Sequence, residues 1–104
     1  MTTRQHNIPL PLAQIEEFCR RYPIRKLSLF GSVLRDDFTE KSDVDILVEF
    51  MPDGTPGLFR FIGMQDELEE MFGRKVDLRT IANFPVRMQP HILETSEPLY
   101  VHQC

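Results

Sequence analysis

Cysteine is scarce in this 104-residue chain, and the two cysteines form no recognisable pattern. Cys19 and Cys104 stand 85 positions apart, which matches neither a disulfide framework nor a metal site and favours a reducing cytoplasm. No apolar run approaches the roughly 18 residues that a membrane-spanning helix needs, and the first residues lack the apolar stretch of a signal peptide. Positive charge is also in short supply, because 12 Lys and Arg stand against 16 Asp and Glu. We therefore expect an acidic, soluble, cytoplasmic protein that does not bind nucleic acid through an overall positive charge.

The order of apolar and polar residues predicts alternating helices and strands. The predicted elements are a helix over 11–22, strands over 27–30, 43–50, 75–79 and 99–101, helical turns over 33–37, a helix from residues 55–56 to 72 and a last helix from about residue 85. The run Ile46-Leu47-Val48 is suited to burial on both faces of a sheet. This pattern predicts an α/β (α+β) fold, a small mixed β-sheet flanked by helices, in one domain over 1–104.

Local signals predict where the later helices begin and end. Thr55 and Pro56 are a typical N-cap and first-turn pair, and Gly73 is a typical left-handed stop. Asn83 is expected to cap the last helix and Pro90 to kink it. The residues of the 55–72 helix expected to point inward are Leu58, Phe61, Ile62, Leu68, Met71 and Phe72.

Three features carry the chemistry. Asp43 and Asp45 precede an apolar run, and side chains two apart on a strand share one face, so they can converge on a bound ion. Asp77 lies on the next strand, and Gly31 with Ser32 follows the first one, where backbone N–H groups favour phosphate. Each feature alone has an ordinary structural explanation, such as a solvated strand end. Together they predict a metal–nucleotide site, with oxygen ligands that suit Mg²⁺ or Mn²⁺.

The spacing of these residues resembles a known superfamily. Gly31-Ser32, ten further residues, then Asp43-Val44-Asp45, with Asp77 downstream, resembles the nucleotidyltransferases related to DNA polymerase beta. The stretch GSVLRDDFTEKSDVDILVEF is similar to the minimal nucleotidyltransferase branch, and the resemblance covers residues 27–79.

The resemblance implies roles for individual residues. Asp43, Asp45 and Asp77 would be the catalytic acids and would bind two Mg²⁺ ions, and Asp77 would help to take the proton of the acceptor hydroxyl. The residues assigned to ATP are Gly31 and Ser32, which would hold the triphosphate, with Arg35 and Ser42. Leu34 and Asp36 depart from the small residue and glycine that are common after Gly-Ser.

The resemblance also implies a partner. A chain of this length leaves no room for a second domain, so we expect another molecule to bring the acceptor. Many minimal nucleotidyltransferases are antitoxins of type VII-like toxin–antitoxin pairs, which silence a HEPN-type helical ribonuclease by transferring AMP from ATP to a hydroxyl, with tyrosine favoured. The alternative, motivated by Leu34 and Asp36, is a non-catalytic antitoxin that occludes its toxin. A nucleic-acid-tailing enzyme is disfavoured by the acidic balance, and neither direct nucleic-acid binding nor membrane binding is expected.

One acidic stretch stays open to two interpretations. Asp66, Glu67, Glu69 and Glu70 fall in one predicted helix. They form either a solvated face or a docking face for a basic partner such as a ribonuclease.

Overall fold

The structure is a computed structural model that describes residues 10–31 and 43–102. The helices are α1 (Leu12–Arg21), α2 (Leu58–Phe72) and α3 (Gln89–Thr95), and the strands are β1 (Ile24–Phe30), β2 (Val44–Phe50), β3 (Val76–Arg79) and β4 (Glu97–Val101). Two 3-10 turns, Ile81–Asn83 and Val86–Met88, connect β3 to α3. The expected class, a mixed sheet with helices packed on it, is confirmed. The described residues include no helix long and apolar enough to cross a membrane.

The sheet has the strand order β3-β2-β1-β4. β1 runs antiparallel to both β2 and β4, whereas β2 and β3 are parallel. Parallel neighbours need a crossover between them, and α2 supplies it. The end of β1 and the beginnings of β2 and β3 consequently meet at one end of the sheet, which we call the acidic end.

One face of the sheet forms the main core with α1 and α2. Its buried side chains are Ile15, Phe18, Cys19, Ile24, Leu27, Leu29, Val44, Ile46, Val48, Met64, Leu68, Val76 and Leu78. The core members alternate along β2 and β3, as expected when every second side chain points to the same face. In β1, Leu27 and Leu29 alternate, and a register shift between Ile24 and Lys26 brings Ile24 to the same face. Each fully buried aliphatic or aromatic side chain stabilises the fold by about 1.5–3 kcal/mol.

The opposite face of the sheet is also covered in part. Leu47 and Ile92 are buried but lie outside the main cluster, and Ser28 is buried opposite Leu47 on β1. Ile92 belongs to α3, so the segment after β3 contributes to this second layer. The prediction that the run Ile46-Leu47-Val48 is buried on both faces is therefore confirmed.

The N-terminal part of α2 differs from the prediction. The helix begins at Leu58 after Gly57, so Thr55 and Pro56 are not its N-cap and first turn. Leu58 and Ile62 are exposed rather than inward, because the helix places its core-facing arc on the side of Met64 and Leu68. Its other end is as predicted.

The predictions for Pro90 and Asn83 are wrong, and the prediction for Gly73 is confirmed. Gly73 ends α2 with φ of 69°, the left-handed stop that was expected. Pro90 lies in the first turn of α3, where its missing N–H costs no helical hydrogen bond, so it does not kink the helix. Asn83 does not cap α3, since its side chain accepts a hydrogen bond from the Thr80 backbone N–H at 3.0 Å. The helical turns predicted over 33–37 fall outside the described residues.

Candidate active site

Gly31 and Asp45 meet at the acidic end of the sheet. Asp45 lies opposite Phe30, the last residue of β1, in the antiparallel pair of β1 and β2. Gly31 follows with φ of 75°, a conformation that side-chain-bearing residues rarely adopt. A Cβ at Gly31 would lie 2.5 Å from Asp45 Oδ2, so the carboxylate occupies the space beside the glycine backbone. The glycine and the acid of the predicted motif are therefore packed against each other.

The third acid of the motif lies on the neighbouring strand. Asp77 is the register partner of Asp45 in the parallel pair of β2 and β3. Neighbouring strands are about 4.8 Å apart, and register partners point to the same face. Asp43 comes directly before β2 and is exposed, whereas Asp45 and Asp77 are half-buried. The fold thus brings all three predicted acids to one end of the sheet, with two of them side by side.

Arg79 and Phe84 complete this site, and sequence reasoning missed both. Arg79 Nε donates to Asp77 Oδ2 at 2.9 Å. Its guanidinium lies 5.8 Å from the centroid of the Phe84 ring, which packs edge-on against Phe30 with 5.6 Å between centroids. The i, i+2 spacing on β3 was a usable signal for the ion pair, because such residues share a face. Phe84 carried no comparable signal.

The donor set suits a hard divalent cation. Carboxylate oxygens are the protein ligands that Mg²⁺ prefers, and Gly31 leaves its backbone open to an approaching phosphate. Within residues 10–31 and 43–102, no three His, Cys, Asp or Glu side chains are gathered closely enough to hold a metal ion. Asp77 instead directs one oxygen to Arg79. The residues fit Mg²⁺ in chemical type and in strand position, and holding it requires their carboxylates to turn towards one another.

Part of the predicted site cannot be placed. Ser32, Arg35 and Ser42, assigned to nucleotide binding, lie outside the described residues, as do Leu34 and Asp36. Their roles stay predictions.

A second polar cluster lies between the end of α1 and the middle of α2. Glu67 of α2 accepts hydrogen bonds from Arg21, at 2.7 Å, and from the Tyr22 hydroxyl. Burial raises the pKa of Glu67, but the hydrogen bonds from Arg21 and Tyr22 outweigh it and leave the pKa below its usual value. The hydrogen bond to Glu67, together with burial, raises the pKa of Tyr22. This cluster joins α1 to α2 and contains none of the predicted site residues.

Comparison with known proteins places these features in a family. Residues 13–99 match the family described as Nucleotidyltransferase domain. A Methanocaldococcus jannaschii protein described as a candidate protein adenylyltransferase is 45% identical over 58 residues, covering 56% of this chain and 57% of that protein. The protein adenylyltransferase MntA of Thermococcus cleftensis is 41% identical over 66 residues, covering 64% of this chain and 65% of that protein. The matched regions span less than two thirds of either relative.

Solved structures share the fold. A candidate minimal nucleotidyltransferase superposes with a TM-score of 0.70 at 28% identity, covering 84% of this chain and 87% of that one. A toxin–antitoxin crystal structure with AMP-PNP superposes with a TM-score of 0.71 at 20% identity, covering 90% and 76%. A complex of a tri-AMPylated Shewanella oneidensis HEPN toxin with an MNT antitoxin gives a TM-score of 0.62 at 19% identity, covering 88% and 71%. These similarities confirm the predicted fold class.

Proposed function

Because this chain belongs to the nucleotidyltransferase-domain family, we propose that it transfers AMP from ATP to a hydroxyl group of a partner protein. The observation that carries the proposal is the contact of Asp45 with Gly31, beside Asp77 on the next strand. It joins two carboxylates to the turn that we assign to the phosphates, a combination that suits transfer of a nucleotidyl group. Relatives described as protein adenylyltransferases support AMP as the group and protein as the acceptor.

The three acids and the turn at Gly31 have different roles in this proposal. Asp43, Asp45 and Asp77 would hold two Mg²⁺ ions, which supply positive charge to the triphosphate and to the pyrophosphate that leaves. Gly31 would bring its backbone close to the phosphates, and we assign Ser32, Arg35 and Ser42 to the same task. Their common effect is to fix ATP for in-line attack, and positioning of this kind supplies a large share of the acceleration.

The transfer itself needs a proton acceptor. The acceptor oxygen forms a bond to the α-phosphorus, the bond from that phosphorus to the pyrophosphate oxygen breaks, and Asp77 takes the hydroxyl proton. Arg79 is paired with Asp77 and would orient that carboxylate until the metal binds. We expect the reaction in the cytoplasm, where ATP is available.

The acceptor in our proposal is a HEPN ribonuclease toxin, with a tyrosine hydroxyl as the attacking group, and the chain is its antitoxin in a type VII-like pair. The support comes from solved toxin–antitoxin structures of the same fold, one of which contains an AMPylated HEPN toxin. AMP on the toxin would add negative charge where RNA phosphates must bind, and so would oppose RNA binding.

The test is the mass of the toxin after incubation with the chain, ATP and Mg²⁺. We expect a gain of one or more AMP units with the unchanged chain and none with Asp45→Asn. The matched control is Asp53→Asn, which removes the charge of an exposed turn aspartate far from the acidic end of the sheet.

Two results would contradict the proposal. No AMP gain while the complex forms would show that the chain is not an adenylyltransferase for this toxin. Protection of cells by the Asp45→Asn variant equal to that by the unchanged chain would favour occlusion as the mode of neutralisation.

A further inference from the structure

The side of α2 that faces away from the core is apolar at its beginning. Phe59 is 89% exposed, Leu58 is 72% exposed and Ile62 is 46% exposed. At 100° per residue, these three lie within an arc of about 100° on the helix. Exposed apolar side chains that share one side of a helix form a patch, and such patches mark interaction sites where single exposed apolar residues do not.

The same side of α2 is acidic further along. Asp66 and Glu70 are exposed and follow Ile62 at four-residue steps, so they continue its row on the helix surface. We call the surface formed by Leu58, Phe59, Ile62, Asp66 and Glu70 the outer face of α2.

The other two acids of α2 are used inside the molecule. Glu67 accepts hydrogen bonds from Arg21 and Tyr22, and Glu69 accepts one from the Val76 backbone N–H at 3.2 Å. The acidic stretch therefore has two parts. One anchors α2 to α1 and β3, and the other, Asp66 with Glu70, is directed outward.

The chain path sets the direction of this face. α2 follows the end of β2 and leads to Val76, which pairs with Val44 at the beginning of β2. Its acidic part therefore lies towards the acidic end of the sheet, where Asp45 and Asp77 are located. Its apolar part lies towards the opposite end. At 1.5 Å per residue, Phe59 and Glu70 are about 16 Å apart along the helix axis.

We propose that the outer face of α2 is the docking surface for the ribonuclease partner, an inference that rests on the proposed function. A protein that binds RNA needs a positively charged surface, so its RNA-binding region is complementary to Asp66 and Glu70. An apolar patch beside that region would cover Leu58, Phe59 and Ile62.

A second copy of this chain fits the surface less well. Each copy carries a formal charge of −4, so two outer faces would bring acidic helices together. The charge of the surface selects a basic partner.

The test is the affinity of the full chain for the HEPN ribonuclease of the proposed function, measured by titration calorimetry, with association rates measured by surface plasmon resonance. We expect Phe59→Ser to weaken binding at least tenfold, as removal of a central aromatic anchor does. We expect the double variant Asp66→Lys, Glu70→Lys to slow association and to reduce its dependence on salt. The matched controls are Val86→Ser, at an apolar residue that is 80% exposed elsewhere, and Glu94→Lys, at an exposed acid of α3. Both controls should bind as the unchanged chain does.

The outcomes separate this inference from the proposed function. Phe59→Ser binding equal to that of Val86→Ser would overturn the docking surface, even if AMP transfer by the unchanged chain is observed. Loss of binding in Phe59→Ser, together with no AMP transfer by the unchanged chain, would support the docking surface and contradict the proposed enzymatic activity. Sedimentation that shows a dimer of the chain, dissociated by Phe59→Ser, would overturn the inference in favour of a second copy.

Discussion

Replacing Gly31 with alanine puts a methyl group where the Asp45 carboxylate lies. The added Cβ would be 2.5 Å from Oδ2, whereas ordinary contacts begin at 3.4 Å, so the carboxylate must retreat by about 0.9 Å. Asp45 sits on a central strand between β1 and β3 and cannot move with its backbone. The strain must therefore be absorbed by its side chain or by the turn at residue 31.

The cost has two parts, and Gly73 separates them. Both glycines have positive φ, 75° and 69°, and a side chain in this region costs roughly 1–2 kcal/mol. At Gly73 nothing lies within 4 Å of an added Cβ, so Gly73→Ala measures the backbone cost alone. Gly31→Ala adds the overlap with Asp45, which the carboxylate relieves by rotating away from its preferred rotamer, at a cost of about 0.5–1.5 kcal/mol. We expect Gly31→Ala to lower the free energy of unfolding by that much more than Gly73→Ala.

Urea denaturation followed by circular dichroism measures both values. A double-mutant cycle assigns the difference to one contact, because Asp45→Ala removes the carboxylate that the methyl group meets. In the Asp45→Ala background, we expect Gly31→Ala to cost no more than Gly73→Ala does. AMP transfer should be lost in Gly31→Ala and kept in Gly73→Ala.

Two results would refute this reasoning. One is an equal loss of unfolding free energy for Gly31→Ala and Gly73→Ala, since the contact with Asp45 would then have no energetic effect. The other is an excess cost of Gly31→Ala that persists without the Asp45 carboxylate, since the overlap would then involve another group.

Four further predictions concern residues away from the acidic end. In a Tyr100→Phe variant, spectrophotometric titration of Tyr22 should give a pKa above its usual value, because its hydroxyl donates to Glu67, and Glu67→Gln should lower that pKa. Burial raises the pKa of Glu67, but the hydrogen bonds from Arg21 and Tyr22 lower it by more, so the folded-state pKa lies below the unfolded value. The stabilisation that Glu67 contributes is therefore present at neutral pH and is lost as pH falls through the folded-state pKa. Glu67→Gln should therefore weaken the fall of unfolding free energy in acid. Gly63→Ala should raise the unfolding free energy by up to about 1 kcal/mol, since an added Cβ meets nothing within 4 Å in the helix interior. Burial raises the pKa of Cys19 to about 12, so its thiol should react with a disulfide reagent at pH 8 only as fast as the protein unfolds.

Most of the fold was accessible from short-range patterns. The helix over 11–22 and the strand over 43–50 were predicted to within one residue of α1 and β2, because apolar residues recur there at helical steps or in a buried run. The signals that failed are compatible with more than one local structure. Pro90 is compatible with a helix start or a kink, and only the preceding 3-10 turn decides between them.

The site was predictable in its acids and not in its surroundings. Asp45 and Asp77 could be inferred because strand periodicity and the spacing after Gly31 constrain them. Arg79 had a usable signal in its i, i+2 spacing from Asp77. Phe84 had none, since it lies in a loop and its packing against Phe30 joins residues distant in sequence.

The error at the beginning of α2 bears on function. Leu58 and Ile62 were predicted to be inward because they are apolar at helical spacing, and this periodicity reports only that a surface avoids water. In the described structure the helix buries Met64 and Leu68, and Leu58 and Ile62 lie outside that arc, largely exposed. A helix with more apolar positions than its own core accepts has a second contact to make, and sequence rules fail most often at such functional positions. The wrong prediction and the proposed docking surface thus have one cause, because a partner would supply the burial that the periodicity predicts.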